Sequence, residues 1–373
     1  MNLLDLPNEI LSSLPLYIDD IETFTSVASS CRRLRENFAR THPKTILLLA
    51  DASTPTFFSP HPYFLITGMA RQVSSWALEN KENAAHLRKV FQKGIYGLYD
   101  FCIDNPNIGL TMEDIRRLYE ARFSTINPLV NQIDGMAGKQ WQSVDNFWVD
   151  GVSEAETLET ESDLAAFHII IYGELFASSM QAFLESEREL LPSFDEETRK
   201  DYIKYCIVDH EALRRQSYVY PREEDLTTWP RRGSWPDPQL SFRHVLQCRR
   251  WRRKWAQVIR MIDRNFGEAE FEEEEDGDVD RYYDESWSHR LYRNALQTQG
   301  LEGMQLLILP KERISQEGRD QALKIKRQVE RQVERLQGQF DDVYKLKASL
   351  RDAPSPDEEV RTCLTHRFSS FPW

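Results

Sequence analysis

The chain has 373 residues, 40% of them hydrophobic and 11% aromatic, which suffices for a sizeable packed core and excludes a wholly disordered polymer. The net charge of −13 is uneven: residues 268–285 hold eleven acidic side chains and one arginine, so the acidity belongs to one segment and selects no class of partner. No apolar run reaches the roughly 18–20 residues that span a bilayer, no basic run precedes the first apolar residues, and the five scattered cysteines (Cys31, Cys102, Cys206, Cys248, Cys363) suit reduced thiols; an intracellular protein, cytoplasmic and/or nuclear and without a membrane partner, is expected.

Glycine is scarce, 15 residues against an average usage of about 7%, and no fixed-period repeat is visible, which argues against a β-propeller or a solenoid. The expected fold is mostly α: an N-terminal three-helix module, an irregular multi-helical domain and a C-terminal helical segment.

In chain order, Pro7 with Asn8 and Glu9 suits the first turn of a helix, and Ile10, Leu11 and Leu14 make its apolar stripe before Pro15 ends it. Asp19 and Asp20 open a second helix with Ile21, Phe24 and Val27 at helical spacing, and Cys31, Leu34 and Phe38 line a third, decorated by Arg32, Arg33 and Arg35. Proline breaks between 41 and 60 predict a linker around an apolar stretch at 45–50. Two stripes follow, Tyr63, Ile66, Ala70, Val73 and Trp76, then Leu87, Phe91, Ile95, Leu98 and Cys102. Thr111 with Asp114 gives a capping-box-like start to a helix bearing Ile115, Leu118, Phe123 and Ile126. Residues 162–186 are apolar on most sides and predict the central helix of the core. Four prolines and two tryptophans at 219–240 predict an extended crossing loop, and a basic helix at about 241–265 precedes the acidic run. The last large element, about 317–350, carries Ala322, Val329, Val333, Leu336, Phe340 and Val343 in steps of three, four or seven. The expected division is 1–45 for the three-helix module, 46–265 for a helical recognition or scaffold domain, 266–285 for an acidic linker, 286–353 for a C-terminal helical segment and 354–373 for a loosely ordered tail.

Leu6-Pro7-Asn8-Glu9-Ile10-Leu11, then Phe24 and Val27, then Cys31-Arg32 and Leu34, resembles the F-box family, whose pattern runs Leu-Pro-x-Glu-Ile/Val-Leu, Leu-x-x-Leu and Val-Cys-basic. The resemblance covers roughly a ninth of the chain and departs from the pattern at Pro15, at one residue inserted around 21–23 and at Ser30. It implies a non-catalytic adaptor or substrate receptor that docks on the Skp adaptor and through it on a cullin ubiquitin ligase, with an unknown protein substrate held by residues beyond about 50. By the same resemblance Leu6, Pro7, Ile10, Leu11 and Leu14 would sit in the adaptor's groove, while Phe24, Val27, Cys31 and Leu34 would complete an interlocked core. A segment this short buries too little surface to be stable alone, so it needs either a partner or the rest of the chain. The alternatives are a stand-alone helical scaffold capped by these residues and a nucleic-acid-binding protein.

The nucleic-acid alternative rests on 243–264, where eight Lys or Arg interleave with Trp251 and Trp255. An amphipathic helix burying Leu246, Trp251, Trp255, Val258 and Ile262 with its arginines in water accounts for the same pattern and is the favoured reading. Asp276, Asp278 and Asp280 alternate as in a calcium loop, but Gly277 comes too early and Trp287 stands where the twelfth-position Glu belongs. Asp19-Asp20-Ile21-Glu22 resembles a terpene-cyclase magnesium motif without a second metal motif downstream. Asp209, His210 and Glu211 point in different directions on a helix and do not converge. No HxxxH, GxGxxG, P-loop or GxSxG occurs, so no catalytic residue, metal ligand or cofactor is expected. The heptad-like steps near the C-terminus are interrupted by Lys326 and Lys347, which favours packing on the chain's own helices over dimerisation.

Overall fold

Side-chain caps open several helices in this computed structural model, which describes residues 6–54, 58–137, 162–185, 191–207, 242, 245–246, 248–267, 286–339 and 350–369. Asp20 accepts from the Thr23 backbone N–H at 2.7 Å and opens α2 (Ile21–Ser30); α1 (Asn8–Ser13) precedes it and α3 (Arg32–Phe38) follows. A 3-10 turn, Leu14–Tyr17, continues α1 directly. The apolar stretch at 45–50 lies in a helix, α4 (Pro43–Ala52), where a linker is predicted: Pro43 occupies the first turn, where a missing N–H costs nothing, and Ile46, Leu47, Leu49 and Ala50 are buried.

α5 (Tyr63–Leu78), α6 (Lys81–Phe91) and α7 (Gly94–Asp104) carry the two predicted stripes. Gly94, at φ +81°, splits the second stripe between two helices, a conformation that a side chain would strain. The capping box that opens α8 (Met112–Ala121) is formed in both directions between Thr111 and Asp114. α8 runs into a π-helical turn, Arg122–Ile126, and α9 (Asn127–Ala137). The wider turn shifts the register, so Phe123, predicted to face inward, is 57% exposed while Ile126 is buried.

The central element is α10 (Ser162–Leu184), buried along nearly its whole length and packed on α5 and α9. Polar groups inside it have partners from far along the chain. Glu174 pairs with Arg71 and accepts from the Leu301 backbone N–H at 2.8 Å. A Cβ on Gly173 would stand 2.5 Å from the Gly300 nitrogen, so glycine is what lets α10 approach the start of the later helix this closely.

α11 (Glu196–Asp201) leads into a second π turn, Tyr202–Cys206. α12 (Arg249–Asp263), α13 (Trp287–Gln297), α14 (Leu301–Ile308) and α15 (Gln316–Gln339) complete the body, and α13, α14 and α15 all pack against α10. On α15, Ala322, Val329 and Leu336 are buried and Val333 is half-buried; α15 lies against α12 and α13, and Lys326 pairs with Asp263 at 3.0 Å. Phe340 and Val343 fall outside the described residues, as do the loop at 219–240, the acidic run at 268–285 and Asp209, His210 and Glu211.

The tail predicted as loosely ordered from 354 contains α16 (Pro356–Ser369), docked on α11 and its π turn. Its first turn is held by buried charge. Arg293 donates to Asp357 at 3.1 Å, Ser355 donates to Asp357 at 2.8 Å, and Glu359 accepts from both Arg199 and the Tyr172 hydroxyl. A sequence rich in Asp, Glu and Pro reads as solvated, and only the distant arginines make its burial affordable.

Among the described residues there is no strand, no helix long and apolar enough to cross a membrane, and no cluster of His, Cys, Asp or Glu that could hold a metal ion. All five cysteines are free thiols.

Candidate partner-docking site

The first three helices are organised around a shared inner face. Leu11 from α1, Phe24 from α2, and Leu34 and Phe38 from α3 are buried and belong to the same core cluster as the rest of the body. The Phe24 and Phe38 rings pack with centroids 4.9 Å apart, tilted by 41°. The module is tied to α4 by the buried Ile21 backbone N–H, which donates to Ser53 Oγ at 3.1 Å; Ser53 in turn donates to the Leu49 carbonyl.

Polar contacts fix α1 against α3. Arg33 donates from Nη2 to the Leu6 carbonyl at 2.9 Å and to Asn8 Oδ1 at 3.0 Å. Ser12 Oγ donates to Asn37 Oδ1 at 2.9 Å, and Asn37 Nδ2 donates to the Arg33 carbonyl. At the start of α2, the Thr23 N–H and hydroxyl both bond to the Asp20 carboxylate and hold it below the ordinary aspartate range.

The outer face is different. Pro7 is exposed, Ile10 is 47% exposed, and the 3-10 turn puts Leu16 and Tyr17 at 69% and 79% exposure. Pro7, Ile10, Leu14 and Tyr17 follow one another in steps of three, four and three; Pro7, Ile10 and Tyr17 of this stripe are exposed and Leu14 is half-buried. Scattered exposed apolar residues are ordinary, but four within residues 7–17 (Pro7, Ile10, Leu16 and Tyr17), on one short element, form a patch.

The structure therefore divides the nine residues singled out by the family pattern. Leu11, Phe24 and Leu34 are buried; Leu6, Leu14, Val27 and Cys31 are half-buried against the core; Pro7 and Ile10 face solvent. Leu11, expected in the adaptor's groove, has its side chain fully buried in the chain's own core. The sequence pattern ends the element at Pro15 and so leaves out Leu16 and Tyr17. Pro15 instead lies inside a 3-10 turn, buried, where its missing N–H is tolerated. The signal was present in the spacing of Tyr17 from Pro7, Ile10 and Leu14. Of the other departures, Ser30 is exposed and bonds the Val27 carbonyl at 2.8 Å, while Ile21 is buried.

The basic helix α12 turns its aromatic side inward. Trp251 and Trp255 are fully buried and pack edge to face, centroids 6.2 Å apart, together with Val258, Ile259 and Ile262. Neither indole is placed to stack on a base.

No protein-family model, curated protein or solved structure matches the chain.

Proposed function

We propose that residues 6–38 are an F-box-like docking module through which the chain joins the Skp adaptor of a cullin ubiquitin ligase, with the helical body receiving a protein substrate. The observation that carries this reading is the two-sidedness of the module: its inner face closes on the chain's own core, while Pro7, Ile10, Leu16 and Tyr17 keep apolar surface turned outward and Leu14 lies half-buried between the two faces. Such a surface gains free energy when a partner covers it, at about 25 cal/mol per Å² of apolar surface removed from water. Tyr17 is also of a residue type enriched among the contacts that dominate interface energies. In this role the chain acts by position: it would bring a substrate beside a ubiquitin-charged enzyme, and the chemistry would belong to other chains.

A second reading draws on the continuity of the core. Leu11, Phe24, Leu34 and Phe38 form one cluster with the body, which is what a scaffold capped by its first three helices requires. The two readings part on one experiment, co-expression of the full chain with the Skp adaptor followed by size-exclusion chromatography. Co-elution at one to one, lost when Ile10 and Tyr17 are replaced by serine, supports the ligase reading. Separate elution of a folded chain overturns it and leaves the cap.

A further inference from the structure

A cavity of about 460 Å³ opens between α5, α6 and α7, and none of its lining residues belongs to 6–38. Its walls are stripes at helical spacing: His86, Val90 and Lys93 from α6 and the turn after it, and Gly97, Asp100, Phe101 and Asp104 from α7. Trp76 of α5 closes the third side. The Trp76, His86 and Phe101 rings touch one another, with centroids 4.8 Å apart for Trp76–Phe101, 5.5 Å for His86–Phe101 and 5.8 Å for Trp76–His86, and so form one continuous aromatic wall. Trp76 and Phe101 are half-buried and His86 is exposed, so the wall reaches the mouth of the cavity.

The charge around this wall favours a cation. Asp100 and Asp104 stand one helical turn apart, both exposed, and neither is in a salt bridge among the described residues. They outnumber the single lysine of the lining, Lys93; outside the lining, Lys44 feels the charge of Asp104 and His61 that of Asp100. The cavity also lies at the C-terminal end of α7, where backbone carbonyls carry the negative end of the helix dipole. That end already draws one cation: Lys44 Nζ donates to the Cys102 and Asn105 carbonyls at 2.9 and 2.8 Å.

We propose that this cavity is a recognition slot for the basic side chain of a protein segment, arginine before lysine. An arginine brings a planar guanidinium that stacks on an aromatic face while its donors reach carboxylates, and its aliphatic stem covers apolar surface on the way in. Aromatic wall and carboxylates together supply both halves of that recognition. That the segment belongs to a ligase substrate rests on the proposed function; the slot itself does not.

The test is fluorescence anisotropy of the full chain, without the Skp adaptor, against a labelled Gly-Gly-Arg-Gly-Gly peptide and its citrulline twin, which keeps the shape and loses the charge. Saturable binding of the arginine peptide, at least tenfold tighter than the citrulline peptide and competed by free guanidinium, supports the slot. Asp100→Asn with Asp104→Asn then weakens the arginine peptide at least tenfold with the melting temperature unchanged. Equal binding of the two peptides, no binding of either, or full binding by the double variant overturns the proposal. Adaptor co-elution is read at residues 6–38, none of which lines the cavity, so a failed slot and a failed docking module give separate results.

Discussion

Arg33 reaches back across α1 to Asn8, its Nη2 donating to Oδ1 at 3.0 Å while the same nitrogen holds the Leu6 carbonyl at 2.9 Å. The entry into α1, and with it the outward aim of Pro7 and Ile10, is thus set from α3. Replacing Arg33 by alanine removes these exposed bonds, each worth about 0.5–1.5 kcal/mol. Under the proposed docking, the expected result is an adaptor affinity lowered about three- to tenfold with little change in melting temperature, and lysine, lacking the planar fork, fails to restore it. Calorimetric titration against the Skp adaptor checks this; an unchanged affinity would show that the clasp does not aim the docking face.

Leu11 and Ile10 are neighbours with opposite roles. Leu11→Ala opens a cavity in the core and is expected to cost about 2–5 kcal/mol in urea denaturation. Ile10→Ser and Tyr17→Ser, at exposed positions, are expected to stay within about 0.5 kcal/mol of the parent while weakening adaptor binding by 2 kcal/mol or more, about thirtyfold. A stability loss at Ile10 and Tyr17 as large as at Leu11 would mean that the outer stripe is structural.

The buried charges under α16 predict a sharp dependence on pairing. Glu359→Leu leaves Arg199 inside the protein without its carboxylate and is expected to cost about 3–5 kcal/mol. Adding Arg199→Met removes the stranded charge and is expected to recover more than half of that loss. Urea midpoints decide the matter: a double variant as unstable as the single one would locate the cost in packing.

His168 is fully buried, its Nδ1 3.1 Å from the Tyr202 hydroxyl, and burial pushes its pKa down from 6.5 to about 3. The unfolded chain therefore takes up a proton below pH 6.5 that the folded chain refuses until about pH 3. The stability tied to the neutral imidazole is complete above pH 6.5 and falls on acidification through that window, by up to about 1.4 kcal/mol per pH unit. In His168→Gln the slope of stability against pH between 6.5 and 4.5 is expected to be shallower by about one proton. Identical slopes in parent and variant would remove His168 as the cause.

Much of the secondary structure was determined by the sequence alone, because its causes are local. The capping box of Thr111 and Asp114 and the Asp20 cap act over three residues, and the apolar coverage of 162–186 announces a helix buried on all sides. The inward tryptophans of α12 follow from its periodicity in the same way. At the candidate site, residue spacing located the three helices and their inner face. It could not say that Leu11 would be covered by the chain itself, or that Pro15 would continue the element and carry Leu16 and Tyr17 out to solvent.

Those outcomes belong to the tertiary structure, because coverage of an apolar face depends on what the rest of the chain brings to it. The tail shows the same rule for charge: Glu359 is buried only because Tyr172, 187 residues earlier, and Arg199 meet it there. The Trp76, His86 and Phe101 wall likewise needs three helices brought together. Caps and periodicity are written within a few residues of each other; the cost of burying a charge or exposing a leucine is settled only when distant segments meet.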